Sequence, residues 1–352
     1  MKIIGTFLYI LLSVLIFGFL IFIHELGHYL TARKFGVTIK EFAIGMGPKI
    51  YSKISEKTKI VYSLRAFPIG GYVNMVGEDE VVENDPSAFS SKPVWQRMII
   101  TSAGAIMNIL LGFLVMSIIV LSTKTLFSNT IASFADNAQS NTGDTEYNRL
   151  LVGDEIISID GVRVRTAYET AYAISRYAVK PVDVTVKREG KIVRLSEITF
   201  STVSESGVLF GVRDFNFQIA QKNFGTVIKN MYSRSLLSVK MIWHSLFDLI
   251  TGKYGVEQIS GPVGVTTAIT DAAKSGIGNL AFILVLISIN LGIFNLLPIP
   301  ALDGGRLFFQ LIELVFRRPV KRNIEAYIHF AGIVILILIM IAVTLKDIKN
   351  LF

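Results

Sequence analysis

Four long apolar runs dominate the pattern of hydrophobic and polar positions along this chain. A helix needs about 20 largely apolar residues to cross the hydrocarbon core of a bilayer. The runs predict transmembrane helices at about residues 3–31, 98–122, 278–297 and 326–346. The first run is too long for a secretory signal and has only Lys2 before it, so we interpret it as a retained span.

The segments between the runs have shorter periodicities. Residues 42–80 alternate apolar and polar positions among glycines and prolines, which predicts a small membrane-associated β-sheet or hairpin. Residues 126–215 predict a compact α/β domain, and residues 216–275 predict amphipathic helices that lie on a membrane surface. The expected fold is therefore membrane α-helical, with four transmembrane helices in a core formed by residues 1–125 and 276–352.

The net charge of +8 follows the predicted topology and shows no basic stripe typical of nucleic-acid binding. Ten Lys or Arg residues lie between the first two spans and five between the last two. The positive-inside rule places both loops in the cytoplasm and the segment from 122 to 276 outside. The chain has no cysteine, which restricts a transition-metal site to His, carboxylate and water ligands.

The chemistry is concentrated near the end of the first apolar run, in His24-Glu25-Leu26-Gly27-His28. Residues four apart share one helix face, so both imidazoles can bind one zinc ion, with Glu25 as the general base on metal-bound water. Zinc lowers the pKa of that water towards neutrality. Ionisable residues inside a span cost about 2.5–3.5 kcal/mol each, so the cluster indicates a function unless the helix leaves the membrane near His24.

A catalytic zinc normally has three protein ligands. Asp303 is the strongest candidate for the third, because two prolines break the helix before it and Gly304 and Gly305 permit a tight turn. The alternative for Asp303 is a helix cap. The two remaining histidines favour other roles, His244 on the polar face of an amphipathic helix and His329 at the mouth of the fourth span.

Three motifs together resemble the site-2 protease family of intramembrane metalloproteases, in its bacterial RseP-like branch. The family pairs HExxH on the first span with NxxPxPxLDGG near the third, and both match here at His24–His28 and Asn295–Gly305. A GxxxN motif on the second span matches Gly104–Asn108. Leu151–Gly161 resembles part of a PDZ domain, and Gly261–Gly264 resembles a family segment for which we predict only a turn.

The resemblance implies the roles of the site residues. The implied Zn2+ ligands are His24, His28 and Asp303, and the implied base is Glu25. Asn295 would position the unwound substrate or stabilise the oxyanion, and Asn108 would help in a similar way.

The stretch Gly45–Met75 resembles the family's membrane-associated β-hairpin. A substrate helix must unwind before water can attack its carbonyl groups, and an exposed strand edge can hold the unwound segment by β-addition. The expected substrate-binding residues are Gly70, Gly71, Tyr72 and Val73.

The implied function is hydrolysis of a peptide bond in or near the transmembrane segment of single-span membrane proteins that another protease has already trimmed. Anti-sigma factors and remnant signal peptides are examples. The implied location is the bacterial plasma membrane, with membrane lipid as a further partner and the PDZ domain on the extracytoplasmic side as a size filter. Two alternative functions are a membrane zinc transporter and a non-catalytic PDZ scaffold. A transporter would usually show paired half-repeats, and this sequence shows none. A scaffold leaves both intramembrane motifs unexplained.

Overall fold

The computed structural model describes residues 2–78, 80, 82, 84–142, 148–205, 207–253 and 259–349. The helices are α1 Lys2–Lys34, α2 Val94–Ser122, α3 Ala167–Tyr177, α4 Phe224–Ile250, α5 Pro262–Lys274, α6 Ile277–Leu296, α7 Asp303–Phe316 and α8 Arg322–Lys349. The strands are β1 Ile39–Ile54, β2 Val61–Met75, β3 Leu126–Phe134, β4 Glu155–Ile159, β5 Val162–Arg163, β6 Val182–Arg188, β7 Lys191–Ile198, β8 Ser201–Glu205, β9 Val208–Val212 and β10 Phe215–Ala220. The predicted segments 126–215 and 216–275 include residues 143–147, 206 and 254–258, which lie outside this description.

The chain divides into two compact units. The membrane unit comprises Met1–Val115 and Ser245–Phe352, and the inserted unit comprises Met116–His244. The four helices α1, α2, α6 and α8 are long and apolar enough to cross a membrane. Most large apolar side chains of α8 are exposed, which is typical of a surface that faces lipid.

The helix bounds differ in detail from the apolar runs. Helix α6, the third of the four apolar helices, ends at Leu296, because Leu297 precedes a proline and takes an extended conformation. Helix α8, the fourth, begins at Arg322 rather than near residue 326, since its first turn is polar and hydropathy does not detect it. Helix α7 follows the proline-rich loop, where the sequence predicted only a turn at Gly304 and Gly305.

Strands β1 and β2 are long and bent, and together they form a sheet that packs against α1. Phe42 lies opposite Val73 on one side and Tyr62 on the other, so the first half of β1 is central and residues 71–75 form an outer strand. Glycines at positive φ, such as Gly45 and Gly70, allow the bends. The sheet buries Tyr29, Phe42 and Val73 with other apolar side chains in a core shared with α1.

Small residues allow α2 and α6 to pack closely. A Cβ on Gly112 would meet the side chain of Ile289, and one on Gly292 would lie 2.7 Å from the carbonyl oxygen of Ala105. The hydroxyl of Ser288 donates a hydrogen bond to the carbonyl of Asn108 at 2.7 Å. This close approach positions the GxxxN segment of α2 rigidly.

The segment Gly261–Gly264 begins a helix, which corrects the expectation of a simple turn. The buried carboxylate of Asp347 in α8 accepts hydrogen bonds from the backbone N–H groups of Gly261 and Gly264, each at 2.8 Å. These groups are the unsatisfied donors of the α5 N-terminus. Both glycines are needed because a Cβ on either would crowd the Asp347 carboxylate.

The inserted unit is built on a sheet of strand order β10-β3-β4-β6-β7, with β5 paired to β4 and a separate β8–β9 hairpin. Helix α3 lies within the segment 126–215, and its apolar face contributes Ala173 and Ile174 to the core. The segment 216–275, for which the sequence predicted amphipathic helices, contains α4 and α5. Ser233 of α4 donates a hydrogen bond to Glu169 of α3 at 2.7 Å.

Candidate metal centre

The two histidines of α1 face each other on one side of the helix. His24 and His28 are one turn apart and both are buried. Their Nε2 atoms are 3.2 Å apart, and the rings meet edge to face with centroids 4.9 Å apart. The i, i+4 spacing therefore aims both nitrogens at one point.

Asp303 completes the cluster. Its Oδ2 atom lies 2.9 Å from Nε2 of His24 and 3.2 Å from Nε2 of His28. Asp303 is the first residue of α7, and the N-cap residue before it, Leu302, makes no side-chain capping hydrogen bond. Because Oδ2 of Asp303 lies beside both imidazoles, the geometry favours the ligand role over the helix cap.

A strained loop presents Asp303 to α1. Ala301 has a φ of 79°, which is unusual for a residue with a side chain. Its backbone N–H donates a hydrogen bond to Nδ1 of His329 at 3.1 Å, and a Cβ on Gly332 would meet Pro300. Helix α8 therefore holds the loop that carries Asp303. No local pattern in the sequence indicates this contact, and the position of His329 at the mouth of the fourth span favoured an interfacial role.

Neighbouring groups fix the tautomer of His28 and orient His24. Nδ1 of His28 donates a hydrogen bond to the carbonyl of Ile100 at 2.8 Å, which leaves Nε2 as an acceptor. Asn108 is fully buried, and its amide lies 3.4 Å from Nδ1 of His24. The Oδ1 atom of Asn108 has no hydrogen-bond partner among the described residues. Rotation of this amide by a half turn lets Oδ1 accept a hydrogen bond from the Nδ1–H of His24, which leaves Nε2 free for a ligand.

This donor set fits a zinc ion. Two imidazole nitrogens and one carboxylate oxygen converge within 2.9–3.2 Å of one another. Their lone pairs repel unless a cation lies between them, and tetrahedral zinc with bonds of about 2.0–2.1 Å keeps its ligands about 3.3 Å apart. Gly104 of α2 leaves the space open, since a Cβ there would lie 2.7 Å from Nε2 of His24.

Glu25 lies beside the three ligands in a cavity of about 470 Å³. The cavity is lined by His24, Glu25, His28, Tyr72, Val73, Asn74, Met75, Glu78, Thr101, Asp303 and Arg306. A Cβ on Gly71 would lie 3.0 Å from Cγ of Glu25, so the bare backbone of the outer strand makes room for this side chain. A carboxylate beside an open metal position can act as a general base.

The predicted substrate-binding residues divide into two groups. Tyr72 and Val73 line the cavity, and Gly71 packs against Glu25. Gly70 lies at a bend with a φ of 88° beside Met46 and does not line the cavity. The stretch 71–75 pairs with β1 through one edge, so its other edge is the one that a further strand could join.

The other predicted residues lie away from the ligands. The side-chain amide of Asn295 donates a hydrogen bond to the carbonyl of Leu291 in its own helix at 2.9 Å, and Asn295 does not line the cavity. Nδ1 of His244 and the hydroxyl of Tyr172 are hydrogen-bonded to each other at 2.8 Å within the inserted unit.

Two charged residues that the sequence analysis did not single out, Glu78 and Arg306, also line the cavity. Arg306, one turn after Asp303 on α7, forms an ion pair with Glu78. Glu78 follows the outer strand, and its backbone carbonyl also accepts a hydrogen bond from Arg322 of α8 at 2.8 Å. Arg97 of α2 forms a bidentate pair with Glu313 of α7 at 2.7 and 3.1 Å. These pairs fasten the end of the outer strand and α7 to the helices that surround the metal ligands.

Comparison with known proteins agrees with this geometry. A model of peptidase family M50 matches residues 12–339. The regulator of sigma-W protease RasP from Bacillus subtilis is 31% identical, over 96% of this chain and 98% of its own length. The zinc metalloprotease RasP from Geobacillus kaustophilus is 30% identical, over 96% and 97%. A protein from Fusobacterium nucleatum is 33% identical, over 97% and 99%.

Proposed function

Because this chain belongs to peptidase family M50, we propose that it cuts pre-trimmed single-span membrane proteins in or near their transmembrane segments. The chain is a zinc metalloprotease of the site-2 type and a multi-pass membrane protein. The proposal adds the substrate class and the position of the cleaved bond to this family assignment. The observation that carries them is a His, His, Asp cluster with an adjacent Glu inside the apolar helix bundle.

We assign the site residues as follows. His24, His28 and Asp303 would hold Zn2+, which when bound would supply a Lewis acid and lower the pKa of water at that position. Glu25 accepts the proton from the attacking water and passes it to the leaving amine, since its side chain lines the same cavity. Asn108 acts through His24, by holding the tautomer that leaves Nε2 free.

The outer strand of the sheet binds the unwound substrate. A helical substrate has its carbonyl groups in internal hydrogen bonds, so a segment of it must become extended before attack. The edge of residues 71–75 lies along the cavity and offers backbone partners for that segment. The role proposed for Asn295, oxyanion stabilisation or substrate positioning, requires its amide to exchange the Leu291 carbonyl for a substrate oxygen.

The remaining proposals concern location and partners. We propose that the enzyme resides in the bacterial plasma membrane and that residues 126–215 form an extracytoplasmic PDZ domain that excludes substrates with large outer domains. The excess of basic residues in the two loops on the opposite side supports this orientation. The name of the Bacillus subtilis relative refers to sigma-W regulation, which supports anti-sigma factors as one substrate class.

The test is cleavage of a tagged single-span substrate by the purified full-length protein in detergent. Wild type should cut a substrate whose outer domain has been removed, and a zinc chelator should stop the reaction. The Glu25→Gln variant should retain one zinc per chain and lose about 10³-fold or more in rate, because it keeps the shape but cannot accept a proton. A Glu25→Gln variant that cuts at the wild-type rate would exclude Glu25 as the base, and absence of any cleavage by zinc-loaded wild type would refute the proposal.

A further inference from the structure

A second cavity of about 520 Å³ lies between α1 and the sheet of the membrane unit. It shares no lining residue with the catalytic cavity, and it is lined by Phe22, Leu26, Tyr29, Phe42, Ile44, Tyr51, Tyr62, Ser63 and Leu64. Phe22, Leu26 and Tyr29 are spaced i, i+4, i+7 on α1, which is a different face from that of the two histidines. The proteolytic mechanism has no use for this cavity.

The cavity is apolar along its length and has a polar, cationic end. The hydroxyls of Tyr29 and Tyr62 are hydrogen-bonded to each other at 2.6 Å. Arg33 donates a hydrogen bond to the Tyr29 hydroxyl at 3.0 Å, and its guanidinium lies 5.5 Å from the centre of that ring. Arg33 is exposed, so its remaining N–H groups can reach an anion outside the cavity. Lys53 lies opposite Tyr62 in the sheet and adds positive charge at the same end.

The cavity and Arg33 together span about one leaflet of a bilayer. The α1 part of the lining runs from Phe22 to Tyr29, and Arg33 lies one turn beyond it, so Phe22 and Arg33 are about 16 Å apart along the helix axis. One leaflet contributes half of a hydrocarbon core of about 30 Å. Arg33 is in the last turn of a helix long enough to span, so it lies at the headgroup level while Phe22 lies near the midplane.

The lining of the cavity suits an acyl chain as the occupant. An acyl chain is thin and flexible, and the apolar and aromatic walls provided by residues such as Phe22, Leu26 and Phe42 suit it.

We propose that this cavity binds one anionic phospholipid, with an acyl chain beside Phe22 and Leu26 and the phosphate at Arg33. The planar guanidinium offers two parallel N–H donors to phosphate oxygens. A headgroup without a positive charge of its own, such as that of phosphatidylglycerol, is favoured over a zwitterionic one, because net negative lipid charge attracts basic residues near the membrane surface. The lipid would fill the gap between α1 and the sheet and so support the strand that lines the catalytic cavity. The proposal depends on residence in a bilayer and not on proteolysis.

Native mass spectrometry of the full-length protein in detergent tests the proposal. The protein is titrated with phosphatidylglycerol or with phosphatidylcholine carrying the same acyl chains. The first phosphatidylglycerol should bind about 5-fold more tightly than the first phosphatidylcholine, the effect of about one basic side chain near the surface. The Arg33→Gln variant should remove that preference. The Lys34→Gln variant, which loses the same charge at the next residue of α1, should retain it.

A second pair of variants tests the cavity itself. Leu64→Trp should fill the cavity and weaken binding of both lipids, whereas Leu30→Trp, at a similarly exposed position outside the lining, should not. Zinc content reports whether each variant is folded. Equal loss of lipid binding in the Arg33 and Lys34 variants would overturn the proposal in favour of general electrostatic attraction. Unchanged lipid binding in Leu64→Trp with slower cleavage of a single-span substrate would assign the cavity to substrate instead.

Discussion

Gly104 shows how much a single hydrogen atom matters at the metal centre. A Cβ at this position would lie 2.7 Å from Nε2 of His24, in the space where the ligand lone pairs meet. We expect Gly104→Ala to lose zinc and to reduce cleavage by about 100-fold or more, since a displacement of about 1 Å has that effect at a reacting centre. Zinc content by elemental analysis and the cleavage rate together provide the measurement. Gly18→Ala on α1, where a Cβ meets no atom within 4 Å, should bind zinc and cut like wild type.

His329 should matter through the backbone that it holds. Replacement by Leu removes the acceptor for the N–H of Ala301, a residue at positive φ two positions before Asp303. We expect zinc affinity to fall about 10- to 100-fold, the usual range for a group that orients a ligand from behind. His329→Asn places an oxygen near the position of Nδ1 and should recover most of the affinity. Competition with a fluorescent zinc chelator measures both variants, and wild-type affinity in His329→Leu would rule out this role.

At the residue scale, the sequence could predict those site residues whose spacing along the chain indicates a shared metal ion. His24 and His28 are such a pair, and the Pro and Gly residues around Asp303 marked it as a candidate third ligand. The support from His329 could not be predicted, because its partner is a backbone N–H on another element. The position of Asn108 behind His24 depends on how closely α2 packs, which a five-residue motif does not specify.

The bent sheet depends on one carboxylate among several donors. Glu41 lies on β1, and it accepts hydrogen bonds from Ser63 and Arg65 of β2 and from Lys49 in the second half of β1. Burial raises the pKa of Glu41, but hydrogen bonds from Ser63, Lys49, Arg65 and Tyr72 outweigh it and lower the pKa to about 2. The same cluster holds the ring of Tyr72, which lines the catalytic cavity, beneath the guanidinium of Arg65 at 5.1 Å.

The sign of the pH dependence follows from that depressed pKa. The stabilisation by Glu41 is fully present above the pKa of an unfolded Glu, about 4.3, and is lost as the pH falls towards about 2. Glu41→Gln should therefore lower the melting temperature at pH 7 and at pH 5 by the same amount, and by less at pH 3.5. Thermal unfolding of the purified protein in detergent measures this. Glu56→Gln, at an exposed turn, is the control, and an equal difference at all three pH values would contradict the expectation.

At the scale of elements, apolar runs predicted the four long helices, because a helix in lipid needs a continuous apolar surface. Helix α7 was missed because it is amphipathic and follows a Pro- and Gly-rich loop that predicts a turn. The start of α5 at Pro262 was not predicted either, because its first N–H groups are satisfied by Asp347, more than 80 residues later in the chain. Long-range partners of this kind leave no local pattern.

For the whole molecule, the catalytic parts come from both ends of the chain and lie in one unit. The ligands and their supports lie between His24 and Asn108 and between Asp303 and His329, all within the membrane unit. The inserted unit, Met116–His244, lies between the two chain segments that form the membrane unit. Leu126 at the start of β3 lies directly opposite Ala220 at the end of β10, so the inserted domain begins and ends at adjacent positions. An insertion of this kind can vary without disturbing the host fold.

Excision of residues 126–220 should therefore leave the metal centre intact. A short Gly-Ser linker can join Thr125 to Gln221, and the bonds from Lys222 to the carbonyls of Leu121 and Thr123 remain in the shortened chain. We expect unchanged zinc content and cleavage of trimmed substrate close to the wild-type rate. Because the proposed filter is gone, a substrate that retains a large folded outer domain should now be cut at a rate close to that of the trimmed one.

The two substrates are compared in one gel assay, with wild type and a second control that carries the same linker in the β6–β7 turn between Glu189 and Gly190. That control keeps the inserted unit and should still discriminate between the substrates. If the shortened protein binds zinc, cuts trimmed substrate and still rejects the untrimmed one, selection by size resides in the membrane unit. If it loses zinc, the inserted unit supports the metal centre, although the hydrogen bonds to His24 and His28 come from Asn108 and Ile100 of the membrane unit.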